Sequence, residues 1–172
     1  TKEKDLQTAF ADWTKDGDYI ITAKGRRNLK LHMYHKDGGS GVKLIDKPSS
    51  IKITQPVVGS EDRYIWYAHR TSSWQYNARF PQYQISKFDR ETGEIKRETS
   101  RFGSAFTPTL SPDGKWLVYG TRYEDKTALR IRNLKTGDER WLAYPIQKDD
   151  QESQATMGVP VSYTHLTLPT RK

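Results

Sequence analysis

Short apolar runs separated by polar turns recur along the whole chain, and none is longer than a strand requires. The clearest is Trp116-Leu117-Val118-Tyr119, which follows Ser111-Pro112-Asp113-Gly114-Lys115. A four-residue run that is apolar on both faces predicts a strand covered from both sides. The residues before it predict a type I turn. Pro112 presets φ, Asp113 can bond local backbone, and Gly114 suits a position of positive φ.

The same pattern occurs upstream. Asp12-Trp13-Thr14-Lys15-Asp16-Gly17-Asp18-Tyr19-Ile20-Ile21 carries the turn and the strand, and Pro56-Val57-Val58-Gly59-Ser60-Glu61-Asp62-Arg63-Tyr64-Ile65-Trp66-Tyr67 is a degenerate copy with Asp62 in place of glycine. The equivalent positions Asp16, Glu61 and Asp113 lie 45 and 52 residues apart. A second feature repeats in phase: alternating strands at Leu29–Lys36, Tyr83–Asp89 and Leu129–Asn133, each ending in a glycine turn, then short polar strands at Val42–Ile45, Glu94–Glu98 and Glu139–Leu142. Each unit reads as a four-stranded meander.

Four-stranded units of this length predict β-propeller blades, with the second strand buried between neighbours and the outermost strand polar. A single antiparallel sandwich is the alternative, and the in-phase repeat of two turn types favours the propeller. The expected fold is all-β: a partial β-propeller of about three four-stranded antiparallel blades, near 8–47, 52–100 and 104–147 within residues 1–159, with the ring not closed. Faces of strands such as Tyr64–Tyr67 and Trp116–Tyr119 are then expected to be exposed, with poor solubility.

Composition changes this picture little. The 172 residues are 34% hydrophobic, 29% charged and 12% aromatic, and aromatics in so polar a chain suit pleated faces. The net charge of +8 arises from 29 basic and 21 acidic residues that interleave, without a basic cluster, so neither nucleic acid nor membrane is an expected partner. The absence of cysteine excludes disulfides and thiolate metal sites. The start at Thr1, with no leader segment, reads as part of a longer chain.

The turn motifs Thr14-Lys15-Asp16-Gly17 and Ser111-Pro112-Asp113-Gly114-Lys115 resemble the TolB-type, WD-like propeller repeat. Three longer stretches are more specific: Tyr34-His35-Lys36-Asp37-Gly38-Gly39-Ser40-Gly41, Trp74-Gln75-Tyr76-Asn77-Ala78, and Trp141-Leu142-Ala143-Tyr144-Pro145 with Asp149-Asp150-Gln151-Glu152-Ser153. Together they resemble the N-terminal propeller of a bacterial amidohydrolase family, over about residues 10–158. The resemblance implies a periplasmic or secreted parent protein whose C-terminal metal-dependent barrel, expected to hold a divalent metal such as zinc, carries the chemistry. The family's His-x-His pair does not occur here, so no cofactor or catalytic residue is expected in this chain. Residues 160–172 resemble the translated read-through of a sequencing adaptor, as found in metagenomic assemblies, and are read as a non-native tail; the alternative is the innermost strand of a further blade.

Candidate chemistry is sparse. His32 and His35 lie three apart on a strand and so face opposite ways, which precludes a shared metal. His69 follows the apolar strand of the second unit and is expected on a loop, and His165 falls in the tail. No Gly-x-Ser-x-Gly occurs, and Gly38-Gly39-Ser40-Gly41 reads as a hairpin turn. Asp149-Asp150-Gln151-Glu152 reads as a solvated connection. The stretch 71–81 is expected to be a long connection whose Trp74, Tyr76 and Phe80 pack against a neighbouring domain or rim the channel mouth, with packing inside the blade equally consistent. Three roles follow: a scaffold and access module of an amidohydrolase, a TolB-type protein-binding propeller, or the gating propeller of a prolyl-oligopeptidase-type peptidase.

Overall fold

A computed structural model describes residues 7–143 apart from 27, 46–50, 76–79 and 124–125. It is all-β, with three four-stranded antiparallel sheets that do not close into a ring. The first sheet comprises β1 (Gln7–Trp13), β2 (Tyr19–Gly25), β3 (Lys30–His35) and β4 (Gly38–Lys43). The second holds β5 (Ile51–Val58), β6 (Tyr64–Gln75), β7 (Phe80–Asp89) and β8 (Ile95–Arg97). The third holds β9 (Phe106–Leu110), β10 (Trp116–Tyr123), β11 (Lys126–Asn133) and β12 (Glu139–Ala143). Strands follow chain order in every sheet, and β5 lies against both β1 and β9, so the sheets stand side by side as blades of a partial β-propeller.

The repeated turn is reproduced bond for bond. Gly17 N–H donates to Thr14 O at 3.0 Å, Asp62 N–H to Gly59 O at 3.1 Å, and Gly114 N–H to Ser111 O at 2.9 Å. Each turn closes with a second bond of 2.9 Å, from Thr14 N–H to Tyr19 O, Gly59 N–H to Tyr64 O, and Ser111 N–H to Trp116 O. Gly17, Asp62 and Gly114 all have positive φ, at 75°, 58° and 68°. Asp62 is among the residue types that tolerate that region best. In blades 1 and 3 a side-chain lock adds to the turn: the Thr14 and Ser111 hydroxyls donate to Asp16 and Asp113, each at 2.5 Å. Those bonds lower the pKa of both carboxyls. Blade 2 has Gly59 at the hydroxyl position because the Trp66 ring fills the space a Cβ would occupy.

Alternation along β6 builds the core. Ile65 and Tyr67 belong to one cluster with Ile21 and Leu31 of blade 1 and Ile53 and Phe88 of blade 2. Trp66 and Ala68 belong to another with Ile85 and with Phe106, Leu117 and Tyr119 of blade 3. One strand therefore serves two interfaces, as its unbroken apolar sequence requires. This corrects the expectation that Tyr64–Tyr67 lies on an open face: Ile65 and Tyr67 are fully buried, Trp66 is buried on the other face, and only Tyr64 is partly covered. The expectation for blade 3 fares differently. Leu117 and Tyr119 are buried, while Trp116 and Val118, on the opposite face of β10, are only partly covered.

Two local expectations are also corrected. Gly38-Gly39-Ser40-Gly41 is not the turn but the start of β4; the turn is Lys36-Asp37, with His35 paired to Gly38. A hairpin turn of two residues suffices there, and Gly41, at φ 71°, lies under the Tyr34 ring, where a Cβ would collide with it. The expected long connection at 71–81 is instead mostly hairpin. β6 runs on to Gln75 and β7 begins at Phe80, with Trp74 opposite Pro81 and Gln75 opposite Phe80.

Candidate functional site: the cleft along the inner strands

The innermost strand of each blade departs from regular extended backbone at one equivalent place. Phe10, Gln55 and Thr107 have φ of 57°, 51° and 52°, and they lie 45 and 52 residues apart, in phase with the turns. Each sits where the register with the neighbouring strand shifts. Left-handed backbone is costly for non-glycine residues, on the order of 1–3 kcal/mol each, and most so for bulky or β-branched types. Such conformations persist only when the surroundings impose them, and here bonds between blades do so. Asp12 Oδ2 accepts the Val58 N–H at 2.8 Å, tying blade 1 to blade 2. Gln55 Oε1 accepts the Thr107 N–H at 2.9 Å, tying blade 2 to blade 3.

These bulges shape a cleft of about 530 Å³ whose walls come from all three inner strands and the turns after them. Phe10, Asp12, Lys15, Gln55, Thr107 and Ser111 line it, with Pro56 and Pro108 at matching positions of blades 2 and 3. Phe10 is 46% exposed, whereas Thr107 is buried and its hydroxyl has no hydrogen-bond partner. A second clip binds the adjoining turns. The Asp62 carboxylate accepts the Lys15 N–H at 2.6 Å and the Asp16 N–H at 3.2 Å. The residue that breaks the repeat in sequence is thus the one that joins blade 2 to blade 1. Chemically the cleft offers shape, an apolar wall and a few polar groups, and the Ser111 hydroxyl at its edge is held by Asp113 as part of the turn.

The histidines are placed as structural groups. His32 stacks beside Tyr34 at 6.4 Å between centroids, and His35 meets Tyr19 edge-on at 5.2 Å. His69, expected on a loop, lies within β6 and is buried, with Nε2 3.0 Å from Ser86 Oγ. Burial lowers its pKa, which favours the neutral ring. Among the described residues no group of three or more His, Asp or Glu is placed to hold a metal ion.

Trp74 and Phe80 occupy the distal ends of β6 and β7, at the tip of the longest hairpin. Their side chains, Tyr76, the acidic run 149–152, His165 and the tail at 160–172 lie outside the described residues. Sequence reading missed Gln55, Thr107 and Asp12 because bonds between blades join residues about 50 positions apart. The one available signal was Pro at 56 and 108 in phase with the turn.

No family model and no curated protein matches the chain. Solved structures do. A TolB-type protein from Agrobacterium tumefaciens superposes with a TM-score of 0.67 at 16% identity, covering 80% of this chain and 50% of its own. TolB from Acinetobacter baumannii gives 0.58 at 24% identity, covering 81% and 35%. A prolyl endopeptidase gives 0.64 at 18% identity, covering 82% and 22%. At these identities the likeness is one of fold: this chain is a propeller domain of TolB-like architecture, spanning half or less of the proteins it resembles.

Proposed function

We propose that this chain is a non-catalytic propeller portion of a larger amidohydrolase-type hydrolase, serving as scaffold and as a module that limits substrate access. The observation that carries the reading is the open third blade. Trp116, Val118, Leu129 and Ile131 share the face of β10 and β11 opposite to Leu117 and Tyr119, and all four are only partly covered. An apolar blade face of this kind suits further structure packed against it. The motif resemblance at Tyr34–Gly41 and Trp141–Ala143 supplies the amidohydrolase part. On this reading the parent protein is periplasmic or secreted. The zinc or other divalent metal sits in the C-terminal domain, which is the chain's principal partner.

The test is a pair of measurements. The complete reading frame is expected to encode a His-x-His barrel downstream, and the purified 172-residue chain is expected to show no amide or ester hydrolysis with added zinc. Turnover by this chain that is abolished by chelation would overturn the assignment of chemistry to another domain. A second reading, a TolB-type protein-binding propeller, is favoured by the superposition on two TolB structures and by the cleft. A stop codon after the propeller would select it. A downstream Gly-x-Ser-x-Gly would instead select the gating propeller of a prolyl-oligopeptidase-type peptidase, a reading in keeping with the fold match to a prolyl endopeptidase.

A further inference from the structure

Every blade has two faces, and the repeat assigns residues to each. Trp13, Val58 and Leu110 are equivalent, as are Ile20, Ile65 and Leu117, each set being offset by 45 and 52 residues. Cross-strand pairing puts Trp13 beside Ile20, Val58 beside Ile65 and Leu110 beside Leu117, on the front of blades 1, 2 and 3. The back is marked by Ile21, Trp66 and Val118, equivalent by the same offsets, with Leu31, Ile85 and Leu129 two rungs along the neighbouring strand. Both interfaces inside the chain join a back to a front. Ile21 and Leu31 of blade 1 cluster with Val58 and Ile65 of blade 2, and Trp66 and Ile85 of blade 2 cluster with Leu117 and Leu110 of blade 3.

One front and one back are left over, at opposite ends of the arc. On the front of blade 1, Trp13 is 50% exposed where Val58 is 1% exposed, and Ile20 is only partly covered where Ile65 is fully buried. On the back of blade 3, Val118 and Leu129 are only partly covered where Ile21 and Ile85 are fully buried. The turns show the same vacancy independently. Asp62 accepts the Lys15 N–H of the preceding blade, and a Cβ on Gly114 would stand 2.9 Å from Ser60 Oγ of the preceding blade. At Gly17, the same place in blade 1, a Cβ would meet nothing within 4 Å. The arc therefore ends in the two halves of a third interface. An added strand or blade would cover one end and leave the other bare, whereas a second copy covers both.

We propose that two copies of this 172-residue chain pair end to end, the back of blade 3 in each packing on the front of blade 1 in the other. A twofold axis makes the two contacts equivalent, so the assembly closes, and it closes at about six blades, inside the usual range for propellers. Trp13 and Ile20 of one copy then meet Val118 and Leu129 of the other, as Val58 and Ile65 meet Ile21 and Leu31 within the chain. Gly17 comes to lie beside Pro112 of the second copy, the position equivalent to Lys15 and Ser60. The pairing does not rest on the hydrolase reading: a chain that fails to pair overturns this inference and leaves that reading untouched.

The experiment is sedimentation velocity of the purified chain over a range of concentrations. A reversible equilibrium between single copies and a discrete dimer is expected, with no larger species. Trp13→Lys and Val118→Glu each place an unpaired charge in both contacts and should weaken pairing at least about tenfold, with circular dichroism unchanged. An equimolar mixture of the two variants should pair again, because one contact then opposes Lys to Glu and the other is wild type. A wild type that stays a single copy at every concentration would overturn the proposal, as would species that grow without limit. Undiminished pairing of Trp13→Lys would also overturn it, since the back of blade 3 would then be pairing with itself. Failure of the folded variants to pair when mixed would do the same. Should Val118→Glu fail to fold, Trp13→Lys decides alone, since its side chain is half exposed in the single copy.

Discussion

The two blade interfaces are built on opposite faces of one strand, yet they are held differently. Between blades 1 and 2 the contact is mainly aliphatic and buried, with Ile21, Leu31, Ile45, Ile53, Val58 and Ile65 joined by Tyr67 and Phe88. Its edge is sealed by backbone: Asp12 and Asp62 each accept amide protons from the neighbouring blade. Between blades 2 and 3 the centre is smaller and more aromatic, with Trp66, Phe106 and Tyr119, and the outer edge is ionic, with Arg101 from the connection between β8 and β9 reaching Glu139 and Trp141 of blade 3. A repeat fixes where blades meet but leaves the chemistry of each meeting to a few residues.

The comparison can be broken most severely at the aliphatic centre. Ile53→Ala or Ile65→Ala, both at positions without exposed surface, should cost about 2–5 kcal/mol in urea unfolding. A loss under 1 kcal/mol would show that blades 1 and 2 are not packed as described. The aromatic interface is expected to be sensitive to added rather than removed volume. Gly120 lies under the Phe106 ring, so Gly120→Ala should cost about 1–3 kcal/mol. Neutral behaviour would mean that Phe106 has room to retreat.

The backbone clip is a smaller effect. Asp62→Gly keeps the positive φ at no steric cost but leaves the Lys15 and Asp16 amides without their acceptor, which should cost about 0.5–1.5 kcal/mol. If Asp62→Gly were more stable than wild type, the clip would be incidental and only the strain would count. Acid provides the mildest probe. Asp89, in the second turn of blade 2, accepts from Arg63 Nε and Nη2 and from the Glu91 N–H, and its pKa falls from 3.8 to about 2. Because the folded value is the lower one, this stabilisation is complete above pH 3.8 and is lost as pH falls through about 2. The melting-temperature difference between wild type and Asp89→Asn should therefore shrink over that window. A constant difference would remove Asp89 from the account.

The blade plan was legible because its signals are local. Turn residues within five positions fix a hairpin, and an unbroken run such as Tyr64–Tyr67 announces burial on both faces. What could not be read was the position of each blade in the arc, which decides whether such a run is covered, as β6 is, or half open, as β10 is. The cleft was illegible for a related reason. Its geometry depends on Gln55 meeting Thr107 and Asp12 meeting Val58, pairs that only the stacking of blades brings together. Asp62 illustrates the limit: the sequence marks it as a departure from the repeat, and only the fold shows its carboxylate capping the neighbouring turn. The Arg132–Glu139 ion pair was within reach, since pairing Leu129–Asn133 with Glu139–Leu142 as a hairpin already places Arg132 opposite Glu139.

The central claim is that β6 is covered on both faces at Ile65–Ala68 while, among the described residues, the outer face of blade 3 is left open. The chain contains no cysteine, so thiol labelling tests this without background. Ala23→Cys and Ala68→Cys report on the two interfaces, and Val118→Cys reports on the outer face of β10. Under native conditions, diluted so that single copies predominate, Val118→Cys should be labelled rapidly, and the other two only as fast as the protein unfolds. Rapid labelling of Ala68→Cys in the folded protein, at a rate matching Val118→Cys, would contradict the arrangement of blades on which the account rests.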